Sequence, residues 1–210
     1  MTFIEKITQQ LQNEPLPGRN AQFKMQHFYR SLDYNIPETA KKAAVMLLIY
    51  PKNDVLFTVL IQRTSSNQND KHSGQISFPG GKLEKNDESL AFCAKRETFE
   101  EIGVPIADIQ LLGALTPTYI PVSDFHVFPF VGFVPQEPIW QKQQSEVVEV
   151  LQIPLLHFLD EKNKGETTIN VQGFTLQNVP YFDVFEKKVW GATAMILNEM
   201  NEVITAIVSQ

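Results

Sequence analysis

The chain has 210 residues, a formal net charge of −6, 43% hydrophobic and 20% charged residues, 10 Gly and 13 Pro. This suits one compact domain with short additions and excludes disordered, collagen-like and low-complexity classes. The acidic balance, with no Lys/Arg cluster, argues against a nucleic-acid surface, although an anionic phosphate compound can still bind through divalent cations. Apolar runs such as residues 43–49 and 125–134 are far shorter than the ~20 residues of a bilayer span, so no membrane segment is expected. Residues 1–13 lack the basic and apolar regions of a signal peptide, and a single Cys93 forms no internal disulfide, so a reducing cytoplasm is the expected compartment.

Phe3, Ile4, Ile7 and Leu11 stand at helical spacing before Asn13, with Pro15 and Pro17 as breakers, which predicts a short amphipathic helix. Its apolar stripe must be covered by the rest of the chain or by a second copy. A homodimer is the expectation and a monomer the alternative. Residues 14–40 are rich in turn formers, so residues 1–40 read as a helix and arm before a main domain over 41–210.

An apolar strand over residues 43–50, the turn at 51–54 and a second strand over 55–62 predict a hairpin. A helix is predicted from Ser89 to Ile102, closed by Gly103. Strands follow at 109–115 and 125–134, then a short helix over 154–159, a hairpin of 167–171 with 174–176, and a closing helix over 189–203. Strands and helices mix without regular alternation, which predicts an α+β fold with a mixed sheet.

The chemistry concentrates in the helix over 89–102. Glu97, Glu100 and Glu101 stand at i, i+3 and i+4 and project from one face. Like charges so spaced cost ~0.2–0.5 kcal/mol per pair, Lys95 points away, and Arg96 only borders the arc. A solvated acidic face is the bland reading. Apolar residues on both sides, Leu90, Cys93 and Ala94 on one and Phe92 and Phe99 on the other, instead suggest a helix packed between layers, where unpaired carboxylates would be costly. A divalent metal resolves the conflict, and oxygen donors without His or Cys suit Mg²⁺ or Mn²⁺.

Gly81, an acid six or seven residues on, Arg96-Glu97, Glu100-Glu101 and Gly103-Val104 also resemble the Nudix box, the signature of hydrolases that cleave a nucleoside diphosphate linked to another group. The acidic position falls on Asp87 counted from Gly81 and on Glu88 counted from Arg96, so one residue is inserted, and Thr98 stands at an apolar position. The resemblance implies an α/β/α sandwich with a mixed sheet between helices. It also implies a metal site of Glu97, Glu100, Glu101 and the carbonyl of Gly81 or Gly80, with Arg96 orienting the carboxylates. The general base comes from Glu97 or Glu100, or from a later loop where Glu146 and Glu149 are the candidates.

Around the box, Arg63-Thr64 and residues 72–81 resemble the coenzyme A pyrophosphatase branch of this family, as do segments at 121–129, 146–155 and 190–194. Ile61, Thr64 and Asp70 depart from that branch's signature. The branch implies coenzyme A or an acyl derivative as substrate, with Arg63, His72 and Gly80 as substrate-binding candidates. ADP-ribose or nucleoside triphosphates are the alternative substrates, and a non-catalytic nucleotide-binding module is the alternative of another class. His27, His126 and His157 read as structural, and no serine-nucleophile elbow occurs.

Overall fold

A computed structural model describes residues 1–27, 35–64, 74–171 and 174–209. Helix α1 (Phe3–Asn13) opens on a reciprocal cap: the Thr2 hydroxyl accepts the Glu5 amide at 3.2 Å, and the Glu5 carboxylate accepts the Thr2 amide at 2.7 Å. Ile7 and Leu11 are buried, and Phe3 and Ile4 pack on the same core. Leu11 sits against Gly113, where any side chain would collide with it. The stripe that prompted the dimer expectation is thus covered by the chain's own body, and it offers no ground for a second copy. Residues 14–40, expected to be an arm, include helix α2 (Gly18–Phe23). It is pinned to the closing helix by Glu199, a buried carboxylate that accepts the Gly18 amide at 3.2 Å and the Gln22 side chain at 2.8 Å.

Strands β1 (Lys41–Lys52), β2 (Val55–Arg63), β3 (Ile76–Ser77), β4 (Gly80–Lys82), β5 (Gln110–Ala114), β6 (Thr118–Ile120), β7 (Phe125–Phe133) and β8 (Val147–Pro154) form one mixed sheet. Its order is β3-β2-β1-β7-β5, with β4 on β1, β6 on β7 and β8 on β2. β1 runs antiparallel to β2 and parallel to β7. It is apolar from Ala43 to Tyr50 because both of its faces are covered there. Ala44, Met46, Leu48 and Tyr50 face helix α3 (Leu90–Ile102), while Leu47 and Ile49 face the core under α1 and α4 (Gly191–Val208). Helices on both sides of a mixed sheet make the α+β sandwich that was expected.

Strands β9 (Lys164–Val171), β10 (Phe174–Val184) and β11 (Lys187–Trp190) form a second sheet. The predicted hairpin is the tip of the longer β9–β10 pair. The closing helix starts two residues later than expected because Val189 and Trp190 pair with Phe182 and Tyr181, and Gly191, at φ +66°, then turns the chain into α4. Among the described residues no helix is long and apolar enough to cross a membrane.

Candidate active site

Helix α3 carries the site. Ser89 caps it by accepting the Phe92 amide at 3.1 Å, and Gly103, at φ +79°, closes it by donating to the Phe99 carbonyl at 2.9 Å. Cys93, Ala94, Thr98, Glu101 and Ile102 are buried toward the sheet. Thr98 is tolerated there because its hydroxyl donates to the Ala94 carbonyl at 2.7 Å within its own helix. Phe99 on the opposite side is 49% exposed. The helix therefore packs through one face, which corrects the expectation of layers on both sides.

The three glutamates lie in different surroundings. Glu101 is buried; one oxygen accepts the Gly80 amide at 2.8 Å and the other lies 3.4 Å from the Arg63 guanidinium. The Glu97 carboxyl fills the place where a Gly81 side chain would be, and pairs with Arg96 at 2.9 Å. Glu100 is half exposed and pairs with the same Arg96 nitrogen at 2.8 Å. Arg96 also holds Asp87 through two bonds, at 2.8 and 3.0 Å. Sequence spacing left the carboxylates short of cations. The fold supplies Arg96 to two of them and Arg63 to the third. It also places Asp87, not Glu88, at the acidic position of the box, because the Asp87 carboxylate closes the preceding turn by accepting the Glu84 amide at 2.8 Å.

Burial pushes the Glu101 carboxyl up to about 8 and raises that of Glu97 as well. The Gly80 amide and Arg63 oppose the rise at Glu101, while Glu97 and Glu146 add to it; at Glu97, Arg96 opposes the repulsion of Glu100 and Glu146. The hydrogen bond from Arg96 holds Asp87 down at about 2 despite its burial.

Of the loop candidates, Glu146 belongs to this cluster and Glu149 does not. The loop before β8 docks on the end of α3, where Gln141 and Gln143 donate to the Ile102 and Glu101 carbonyls at 3.0 and 2.9 Å. Thr64 then donates to the Glu146 carbonyl at 2.9 Å and fixes the residue beside the carboxylates. Glu149 pairs across the sheet with Gln62, one position from the Ile61–Val150 pair that faces α3, so it points to the other side and binds Lys187 at 3.0 Å.

The remaining predicted residues divide. Gly80 donates its amide to Glu101, and its backbone packs so closely on Ala44 and Val45 that a side chain would not fit. The Gly81 carbonyl accepts the Cys93 thiol at 3.8 Å. His72 lies outside the described residues. His27 and His157 bond the carbonyls of Gln177 and Asp183 at 2.8 and 2.7 Å, consistent with structural roles.

Among the described residues no three His, Cys, Asp or Glu side chains converge as a ready cage for an ion. Arg96 and the Gly80 amide engage the oxygens instead. The donor set nevertheless fits a hard divalent cation. Carboxylates and backbone oxygen are its donors, and burial pushes the Cys93 thiol up to about 12, which removes a thiolate from consideration. The mutual repulsion of Glu97, Glu101 and Glu146 is the deficit of positive charge that such a cation relieves.

A mixed sheet between helices, with an Arg-Glu…Glu-Glu helix lying against the Gly-Gly start of β4, is the arrangement of a pyrophosphohydrolase. The chain matches the NUDIX domain over residues 40–169 and belongs to the Nudix hydrolase family, enzymes that act on nucleoside diphosphate derivatives and generally use Mg²⁺ or Mn²⁺. It is 32% identical over 168 residues to the uncharacterized Nudix hydrolase NudL of Yersinia pestis (strain Pestoides F), covering 80% of this chain and 81% of that one. The NudL of Yersinia pseudotuberculosis serotype O:1b (strain IP 31758) matches to the same extent. Among solved structures, the Nudix hydrolase RenU of M. smegmatis shares the fold with TM-score 0.52 at 14% identity, over 80% of this chain and 88% of that one.

Proposed function

We propose that this enzyme hydrolyses the pyrophosphate of coenzyme A or an acyl derivative to 3′,5′-ADP and the 4′-phosphopantetheine product. The observation that carries the reading is the approach of Arg63 to Glu101 at 3.4 Å, across 38 residues of sequence. It sets the segment resembling the coenzyme A branch directly beside the box carboxylates. The lone buried Cys93 accords with a reducing, cytoplasmic setting.

Glu97, Glu100 and Glu101, with the Gly81 carbonyl, hold Mg²⁺ or Mn²⁺ in this reading. When bound, such a cation would supply charge neutralisation at the non-bridging phosphate oxygens and a more acidic water. Arg96, fixed by Asp87, keeps the Glu97 and Glu100 carboxyls in place. Glu146, which forms no ion pair among the described residues, takes the proton of the attacking water. Arg63 braces Glu101 and contacts a phosphate of the substrate.

The test compares kcat/KM for coenzyme A, ADP-ribose, NADH and nucleoside triphosphates with the same metal. Coenzyme A should lead. A lead for ADP-ribose, NADH or a triphosphate by about tenfold, ~1.4 kcal/mol of transition-state binding, would overturn the substrate and leave the family chemistry standing.

A further inference from the structure

The sheet face that carries α3 continues past the carboxylates. Residues alternate along β1, so Lys42 stands on the same face as Ala44, Met46 and Leu48. Across the sheet, Ala44 pairs with Gly81 on one side and Phe128 on the other. Two residues nearer the start of β1, Lys42 pairs with His126, which pairs with Tyr119. The first level lies under the Glu97 carboxyl, and the second follows about 7 Å further along the strand.

An aromatic floor joins the two levels, since the His126 and Phe128 rings lie 4.4 Å apart and both residues are half-buried. Burial first, and then the charges of Arg19 and Lys42, lower the His126 pKa from its usual value. The imidazole offers a ring N–H to a ligand. Neither Lys42 nor Arg19 pairs with a carboxylate among the described residues. Asp124 at this corner accepts the Tyr119 hydroxyl at 2.8 Å instead. Lys42 and the His126 imidazole therefore stand together one strand step from the reaction site, and Lys42 forms no ion pair among the described residues.

On the coenzyme A reading of the site, we infer that Lys42 and His126 bind the 3′-phosphomonoester of the substrate's ribose, with Phe128 against the nucleoside. That phosphate is separated from the cleaved anhydride by the ribose and its 5′ carbon, which suits the step between the two levels. Lys42 supplies a point charge and His126 a directed donor, and a doubly charged phosphomonoester gains more from both than a bare ribose hydroxyl does. His126, which looks structural from sequence, becomes a specificity residue.

The experiment compares coenzyme A with dephospho-coenzyme A, which differ only in that phosphate. The wild type should favour coenzyme A by about tenfold or more in kcat/KM, ~1.4 kcal/mol. Lys42→Met and His126→Gln should each bring the two substrates close to parity, chiefly by raising KM for coenzyme A. Lys162→Met, at an exposed lysine far along the chain, should keep the wild-type ratio. Binding without turnover reads the same contact: 3′,5′-ADP should bind about tenfold tighter than AMP, and Lys42→Met should erase the difference. A wild type that cleaves both coenzymes equally, or variants that keep the ratio, would overturn the inference while the coenzyme A reading stands. A wild type that cleaves neither would overturn both.

Discussion

Arg96 holds Asp87 in a two-bonded fork, Nε to Oδ1 at 2.8 Å and Nη2 to Oδ2 at 3.0 Å, while its remaining nitrogen faces Glu97 and Glu100. The fork sets the guanidinium plane, and the plane sets where both glutamates can sit. The Asp87 carboxyl is nearly fully buried, so the pair is shielded from solvent.

Asp87→Asn should therefore lower stability at neutral pH by about 2 kcal/mol, or ~4–8 °C in Tm, and reduce kcat because Arg96 is no longer held. The pH dependence has a definite sign. Asp87 titrates at about 2 in the folded protein against an ordinary 3.8, so its contribution is present above about pH 4 and is lost as pH falls toward 2. Thermal melts of the two proteins should differ at neutral pH and converge near pH 2.

Glu101→Gln should abolish metal-dependent hydrolysis while keeping or raising stability in EDTA, because burial and the charges of Glu97 and Glu146 disfavour an ionised group at this position and Gln never ionises. Its acid group is raised to about 8 in the folded, metal-free protein, so folding takes up a proton and stability falls as pH rises from about 4.5 to 8. The variant should lose that slope. Mg²⁺ at a hundredfold its Kd should stabilise the wild type by ~2.7 kcal/mol and the variant by much less. Full activity in Glu101→Gln would remove the metal assignment.

Glu146→Gln should lower kcat by about 10²–10⁴-fold with an unchanged Tm, the range expected on removing a general base. Glu149→Gln should leave kcat within about twofold, since that side chain binds Lys187 on the opposite face of the sheet. Steady-state kinetics of the two variants separate the candidates, and the reverse result would return the role to Glu149.

Ile7→Ala should cost about 2–5 kcal/mol, because its side chain is fully buried in the core beneath α1. Sedimentation at micromolar concentration should give the same species for variant and wild type. A dimer that dissociates on this substitution would show that α1 covers a second copy.

Much of the site is legible in the sequence because it is local. Glu97, Glu100 and Glu101 share a helix face by spacing alone, Ser89 and Gly103 mark the helix ends, and the unbroken apolar run of β1 signals a strand covered on both sides. The α1 stripe is legible for the same reason, though not what covers it. Tertiary structure decided which partners meet. Glu146 and Glu149 are equivalent in sequence, but strand side chains alternate, and the Gln62–Glu149 register sends Glu149 away from α3 while the loop docked on the Glu101 and Ile102 carbonyls brings Glu146 in. Arg63 reaches Glu101, and Lys42 stands beside His126, through contacts between strands and helices far apart in the chain. Helical periodicity is set by bonds to residues three or four away and can be read directly from spacing, whereas these pairings depend on how distant segments close on one another.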